Sequence, residues 1–462
     1  MALSDPNLLF DEVKVERDDG SFETARGLRI RAAENNPWYL LATVYGVPGK
    51  SHDSGLENMN RVIWNKYFAS HSMEKDAVEK ESETDSKGEL HIQLSEAEKL
   101  AIADRFAGLG QPPVSGVGID FSNTLFTEKL NFQDFEFPEW TTFENSIFFD
   151  ECDLTGAQFE SGCDFTRCTF HGDVSVAWVK FLGEVHFNEV PIKGSFFLNR
   201  SSFSAPTDFS DMLIKEAFVA EGAEFSGGVD FRRSVVEEES DFSGVSFCDF
   251  VDFRHSSFLG PIDFRKSHFR IESPLFFNTR FSTETRFTRD QKFWPKATKK
   301  NFEDEIEAFT WLRSQMAKNA RPDEEHFFFR LEMAAKKHLG AWHNRLVVRV
   351  FSGISDFGWS FMRPLCCLGF VWLVGMVVFL GYFSDCCTVS PKEFKGTPFW
   401  AAFGVSFSNT FGFLGIGRVM FAADFYRDLP QVLKFVSGLQ TVFGAIFLFF
   451  FGLGLRNRFR LK

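Results

Sequence analysis

The chain has 462 residues, 44% of them hydrophobic, with 62 Phe against 5 Tyr and 10 Trp, and 50 basic against 63 acidic side chains for a net charge of −13. That length leaves room for about three domains, and the acidic balance argues against direct nucleic-acid binding, which depends on Lys and Arg neutralising phosphates. Net charge runs −7 over residues 1–118, −15 over 119–290 and +9 over 291–462, so an acidic body joins a basic tail of the kind that favours a membrane surface.

Residues 1–35 hold no basic segment followed by an apolar core, so no cleaved signal peptide is expected and the N-terminus is expected in the cytosol. Asn36 to Tyr45 reads as a strand closed by Gly46. Glu57 to Phe68 has helical spacing, with Met59, Val62, Ile63 and Tyr67 near one face and Trp64 flanking it. The charged run Met73–Lys87 reads as a solvated helix or a loose linker. Ser95-Glu96-Ala97-Glu98 is a capping box that starts a helix over Leu94–Phe106, ended by Gly108 and Pro112-Pro113. Residues 1–118 are therefore expected to form an α/β cap on whatever follows.

From Phe121 to Leu275 an apolar residue recurs alternately every five and every six residues, an 11-residue period with two inward positions per repeat. One series runs Phe121, Phe132, Phe143, Leu154, Phe165 and onward every eleven residues to Phe264 and Leu275; the other runs Phe126, Phe137, Phe148 and onward to Phe269. Such self-similarity marks a solenoid, whose units cannot bury their own apolar residue but share a continuous column when stacked. The plainest copies are Val229-Asp-Phe-Arg-Arg-Ser234 and Ile262-Asp-Phe-Arg-Lys-Ser267. A small residue sits two before the second apolar position, as at Ser146, Ala157, Cys168, Ser201, Ala223, Ser234, Ser256 and Ser267.

This pattern, over residues 119–290, resembles the pentapeptide-repeat proteins. The resemblance implies a right-handed quadrilateral β-helix with four faces per coil. The extra residue in every second unit departs from that family and lengthens the coil to about 22 residues. Residues 22 apart are then expected to stack, Phe121, Phe143, Phe165, Phe187, Phe209, Phe231 and Phe253 in one ladder and Phe137, Phe159, Phe181, Phe203, Phe225 and Phe247 in another. Seven coils at the ~4.8 Å strand spacing make a rod of about 34 Å. Cys152, Cys163, Cys168 and Cys248 have no zinc-site spacing and read as inward space-fillers.

After Phe287 the period changes to helical. Asn301–Lys318 and Glu324–His338 are amphipathic helices separated at Arg321-Pro322, and residues 291–363 read as a helical cap and coupling arm. Pro364–Phe383 and Phe435–Leu455 are uncharged runs of twenty and twenty-one residues, each long enough to cross a bilayer core. Arg345, Arg349 and Arg363 precede the first, and Arg456, Arg458, Arg460 and Lys462 follow the second. By the positive-inside rule both ends face the cytoplasm, in a multi-pass protein of the inner or plasma membrane. Trp359, Trp372 and Tyr382 read as interfacial anchors.

Between the spans, Thr397–Gly417 is apolar on average but too rich in Gly, Ser, Asn and Thr for a third span, and reads as a re-entrant helix followed by non-helical backbone. Residues 364–462 thus resemble the two-span pore-loop channels, potassium channels among them. Thr410-Phe411-Gly412-Phe413-Leu414-Gly415 shares Thr410, Gly412 and an aromatic Phe413 with the Thr-Val-Gly-Tyr-Gly filter, whose carbonyls replace an ion's hydration shell. Leu414 stands where the second Gly belongs, and a branched side chain resists left-handed backbone there. The match therefore speaks more for a pore loop than for potassium. No Asp or Glu lies between Thr397 and Gly417, against a carboxylate ring for divalent cations. Ser408, Asn409, Gln440 and Thr441 are candidate pore-lining residues; Gln440 and Thr441 equally suit hydrogen bonding between helices. Gly444, Gly452 and Gly454 suit either bending or close helix packing.

No catalytic set, cofactor motif or metal cluster is visible, and His338 and His343 fall on different helix faces, so an enzyme is not expected. The fold expected is mainly a β solenoid plus an α-helical membrane domain with two spans and a re-entrant pore loop. The function expected is a homotetrameric channel for monovalent ions, embedded in membrane lipid, with the acidic rod as a cytoplasmic sensor or scaffold for a protein partner. A membrane-anchored scaffold without transport is the alternative. Soluble pentapeptide-repeat proteins that mimic DNA at a topoisomerase offer a third analogy, which suits the acidity and not the two spans.

Overall fold

The computed structural model describes residues 11–47, 54–79, 94–296, 298, 302–339, 342–385, 397–415, 421, 426–427 and 429–459. The chain divides into two compact units, residues 1–296 with 307–328 and residues 297–306 with 329–462.

In the first unit the 11-residue period is written into the backbone. Asn123, Asp134, Asn145, Arg167, Trp178, Glu189, Arg200, Asp211, Arg233, His255 and Lys266 all have φ between 50° and 64°, and Gly156, Gly222 and Gly244 occupy the same place in other repeats. A left-handed residue two positions past an inward side chain turns the chain through a tight corner, and the six-residue half takes a wider bend. Gly183 sits at such a bend, where a Cβ would overlap the backbone of Ser161 one coil earlier. Two corners of each kind per coil leave four short strands, which stack in parallel at a register of 22, as in Phe159↔Phe181 and Asp208↔Asp230. The product is a four-sided β-solenoid whose sheets have seven, seven, eight and ten strands.

The predicted ladders form. Phe143, Phe165 and Phe187 stack with centroids 4.6 and 4.5 Å apart and interplanar angles of 5° and 8°, and Phe137, Phe159 and Phe181 stack at 4.5 and 5.2 Å. The residue two before each ladder position also points inward, so Cys152, Cys163 and Cys168 are fully buried and burial pushes their thiols well above the usual range. Cys248, expected inward, follows an inward Phe and is half-exposed, because adjacent strand residues face opposite ways.

The small residues at the corners have a polar role. Ser234 Oγ donates to Phe209 O at 2.6 Å and accepts from Met212 N at 3.2 Å, joining successive coils; Ser146 does the same with Phe121 O and Thr124 N at 2.8 and 3.0 Å. Outward aspartates close the tight corners. Asp164, Asp208, Asp230, Asp241, Asp252 and Asp263 each accept a bond of 2.7–2.9 Å from the N–H two residues on.

The expected register fails at the last coil. Asp252 pairs with Leu275 and Ser257 with Arg280, a spacing of 23, and Phe253 stacks on Phe276 at 5.0 Å. One inserted residue leaves Leu275 half-buried and gives its ladder place to Phe276.

At the N-terminal end, β1 (Val13–Glu16), β2 (Ser21–Thr24) and β3 (Arg29–Ala32) form an antiparallel ribbon whose last strand pairs in parallel with Thr124–Phe126 and extends one sheet. The segment predicted as a strand is instead helix α1 (Pro37–Ala42). Asn36 caps it by accepting from Trp38 N at 2.9 Å, Pro37 fits the first turn, and Asn36 Nδ2 donates to Thr124 Oγ1 at 2.9 Å. Helix α2 (Ser54–Glu79) covers the open end through Ile63, Trp64, Tyr67 and Phe68, while Met59 and Val62, expected on that face, are exposed. Trp64 is fully buried, lies 5.5 Å from Phe137 and 5.7 Å from Phe135, and donates to Glu136 O at 2.8 Å. Of the charged run, residues through Glu79 continue α2 and 80–87 lie outside the described residues. Helix α3 (Glu96–Arg105) has the expected capping box of Ser95 and Glu98.

Helices α4 (Phe302–Lys318) and α5 (Pro322–Ala335) follow the solenoid. Within residues 307–328 they close its C-terminal end, where Trp294 meets Phe309 at 6.1 Å and Phe328 at 5.1 Å, and Trp311 meets Phe281 at 5.6 Å.

Candidate functional site

The second unit contains helices α6 (Trp342–Ser355), α7 (Met362–Asp385), α8 (Pro398–Thr410) and α9 (Gln431–Phe459). Two of these are long and apolar enough to cross a membrane, over Met362–Ser384 and Gln431–Arg458, with mean hydropathies of 2.3 and 1.9. Only 17% of each apolar window is buried within the chain, so the apolar surface faces outward, the reverse of a soluble core helix.

The two long helices run antiparallel. Asn457 Nδ2 donates to Gly358 O at 3.0 Å near one end, and Gln440 Nε2 to Val371 O at 3.2 Å further along. Gly454 lets α9 approach the backbone at Ser360 and Phe361 closely enough to leave no room for a Cβ.

Helix α8 starts at the other end of this pair. Its Ala402 and Val405 pack with Phe379, Phe421, Leu429 and Leu433. Thirteen residues later, about 20 Å at the α-helical rise, it stops at Thr410, whose carbonyl lies where a Cβ on Gly444 would be. Gly444 falls midway along α9. The end of α8 thus lies midway along the helical pair, while Phe421 and Leu429 lie beside its start.

A stripe of polar side chains fastens α8 to both neighbours. Ser406 Oγ donates to Trp372 O at 2.5 Å; Gln440 Nε2 donates to Ser406 Oγ at 2.8 Å; Asn409 Nδ2 donates to Gln440 Oε1 at 3.2 Å and Ser437 Oγ at 3.0 Å. Tyr426 OH donates to Asn409 Oδ1 at 3.4 Å and lies 3.2 Å from Ser408 Oγ. Gln440 lies flat against Gly375, where any side chain would collide with its amide. Gln440 and Asn409 are both buried, and in a low-dielectric setting a network with its donors and acceptors matched holds its helices in one register.

Among the predicted pore-lining residues, Ser408, Asn409 and Gln440 are therefore joined inside one chain. Thr441 is exposed and donates to Ser437 O of its own helix at 3.0 Å. Sequence reasoning passed over Ser406, Ser437, Tyr426 and Gly375. The signal for two of them was present, because Ser406, Asn409 and Thr410 repeat the i, i+3, i+4 spacing of Ser437, Gln440 and Thr441.

After Thr410 the backbone is a tight 3-10 turn over Gly412–Leu414, in which Leu414 N donates to Phe411 O at 2.9 Å and Gly415 N to Gly412 O at 3.2 Å. The left-handed residue is Gly415, at φ +66°, not Leu414. Those two carbonyls are spent within the turn rather than aligned in an extended row. Gly412 and Leu414 are exposed, and the Phe413 side chain, Ile416 and Gly417 lie outside the described residues. Trp372, expected as an interfacial anchor, sits ten residues inside α7 with its ring against Phe403 at 5.2 Å. Arg460 and Lys462 lie outside the described residues. No group of three or more His, Cys, Asp or Glu side chains poised for a metal occurs among the described residues.

A family model described as pentapeptide repeats (9 copies) matches residues 154–202 and 220–268, both within the solenoid. No curated protein and no solved structure matches the chain.

Proposed function

We propose that the C-terminal unit is the pore-forming part of a homo-oligomeric channel for monovalent ions, a tetramer by its resemblance to pore-loop channels, with the pentapeptide-repeat rod as a cytoplasmic sensor or scaffold. One observation carries this reading: between two apolar helices, at mid-depth, the α-helical ladder of α8 gives way to a short 3-10 turn that leaves Gly412 and Leu414 exposed. Irregular backbone persists at membrane depth only when it is buried in protein or lines water. Neighbouring copies arranged around a central path satisfy both conditions, with Thr410–Gly415 at the constriction and Thr441 beside it. The absence of carboxylates from Thr397 to Gly417 favours monovalent ions. The compact turn gives no support to potassium over other monovalent ions. Basic residues at the paired ends, Arg363 and Arg456 among them, support a topology with both termini in the cytoplasm by the positive-inside rule.

Purified protein in planar bilayers tests this. Unitary currents in K⁺ or Na⁺ that change amplitude on Leu414→Gly are expected; silence in K⁺, Na⁺ and Cl⁻ across voltage and pH removes the channel. The second reading, a membrane-anchored scaffold, draws on the Ser406–Asn409–Gln440 network, which is complete within one chain and so needs no oligomer.

A further inference from the structure

Helix α6 has no place in the pore and an unusual surface. At 100° per residue, Trp342, Leu346, Val347, Val350 and Ile354 share one half of the helix with His343, and Asn344, Arg345, Arg349 and Ser352 the other with Val348. The apolar half is open: Trp342 is 76% exposed, Val347 67%, Leu346 51% and Val350 47%. Its edge is used within the chain, where Phe351 meets Phe450 of α9 and Phe357 at 5.6 Å each. That contact fixes α6 beside the same end of the span pair at which Asn457 bonds Gly358 and the Arg458 guanidinium lies 5.3 Å from the Phe361 ring.

The polar side is basic. Arg363 Nη1 donates to Ser352 O at 3.1 Å, and Lys337 lies 5.5 Å over the Phe357 ring. Burial pulls the Lys337 ammonium below its usual value, and the positive charges of Arg349 and Arg363 add to this against the opposing pull of Asp356. Asp356 already bonds Arg330 at 2.6 Å, so Lys337, Arg349 and Arg363 keep a net positive charge at this end of the helix pair, which suits an anionic counterpart.

We infer that α6 lies in the plane of the cytoplasmic leaflet, with Trp342, Leu346, Val347 and Val350 in the acyl boundary and Arg345 and Arg349 at anionic lipid headgroups. The occupant follows from continuity: the exposed apolar face of α6 adjoins apolar spans that themselves face lipid, and an interfacial helix is recognised by an apolar face opposite a basic one. Lys and Arg near the surface add attraction to anionic lipid. This inference rests on the membrane reading of the second unit and not on ion conduction.

The test places the photocrosslinker p-benzoylphenylalanine singly at Leu346, Val350, Ser352 or Phe370 of the full-length protein in phosphatidylcholine nanodiscs, with or without phosphatidylglycerol. Lipid adducts are read by intact mass. Adducts are expected from positions 346, 350 and 370 and not from 352, and R345Q/R349Q is expected to lower the phosphatidylglycerol-to-phosphatidylcholine adduct ratio at 346 by about five-fold or more. Adducts at 370 without any at 346 or 350 overturn the inference and leave the spans standing. No adduct at 370 overturns the membrane reading and this inference with it. An unchanged ratio in the double variant removes the anionic headgroups.

Discussion

A phenylalanine in the rod is held mainly by the copies of itself above and below. Phe165 lies 4.6 Å from Phe143 and 4.5 Å from Phe187, fully buried and nearly parallel to both, so truncation opens a cavity that rigid neighbouring coils cannot fill. Phe165→Ala is expected to cost about 3–5 kcal/mol. Ser234→Ala, by contrast, removes one hydroxyl at a corner where Ala157 and Ala223 already serve in other repeats, and is expected to cost about 1 kcal/mol. Urea unfolding in detergent, followed at the β-sheet signal, separates the two, and equal losses would contradict the packing account. The outward residues are less free than the charge of −15 over residues 119–290 suggests. Asp230, Asp252 and Asp263 close backbone turns and each also binds the Arg two residues on. Burial works against the charge of Asp263, yet Arg265 and its backbone N–H hold the carboxyl below the usual range. Part of the rod's acidity is thus turn-making chemistry.

At the level of elements, the solenoid was legible because a two-residue strand exposes its logic in composition: inward positions must be apolar or small, and they recur by number alone. Elements outside the repeat lacked that redundancy. Trp38, Tyr39, Leu40 and Leu41 look strand-like, but an Asn-Pro start turned them into a short helix, and all four are buried. The ribbon β1–β3 carries too many charged residues to announce itself, since its register comes from pairing with the first coil rather than from alternation. The inserted residue near Leu275 is invisible to a rule that counts by eleven, because Leu275 and Phe276 are equally apolar. In the second unit the two long helices and a shorter helix between them were legible from length and polarity, while the partners of Gln440 were not, since Gly375 and Ser406 matter through helix contact. Gly444→Val tests that contact. Its side chain would overlap Thr410 O, so α8 must withdraw, and a loss of about 3 kcal/mol or more of helical stability in detergent is expected, as for overpacked core sites. Gly452→Val, at a glycine with open space around it, is the matched control and is expected to change little.

For the molecule as a whole, the corners matter more than the faces. Tight and wide corners alternate, and the left-handed residue returns every eleven positions, so the two halves of a coil are interchangeable. Removing residues 188–198 or 188–209 joins like to like, and both deletions are expected to melt in one cooperative step close to the parent. Removing 188–192 takes out a tight corner and sets two wide ones in succession, with an expected loss of about 4 kcal/mol or more; calorimetry of the three proteins in detergent would expose a failure of the rule. Interchangeable halves also make the rod's geometry digital. Each 11-residue duplication would lengthen it by about 2.4 Å, half a strand spacing, and swing its far end through half a revolution. An even number of duplications changes reach alone; an odd number also reverses the compass bearing on which the chain departs.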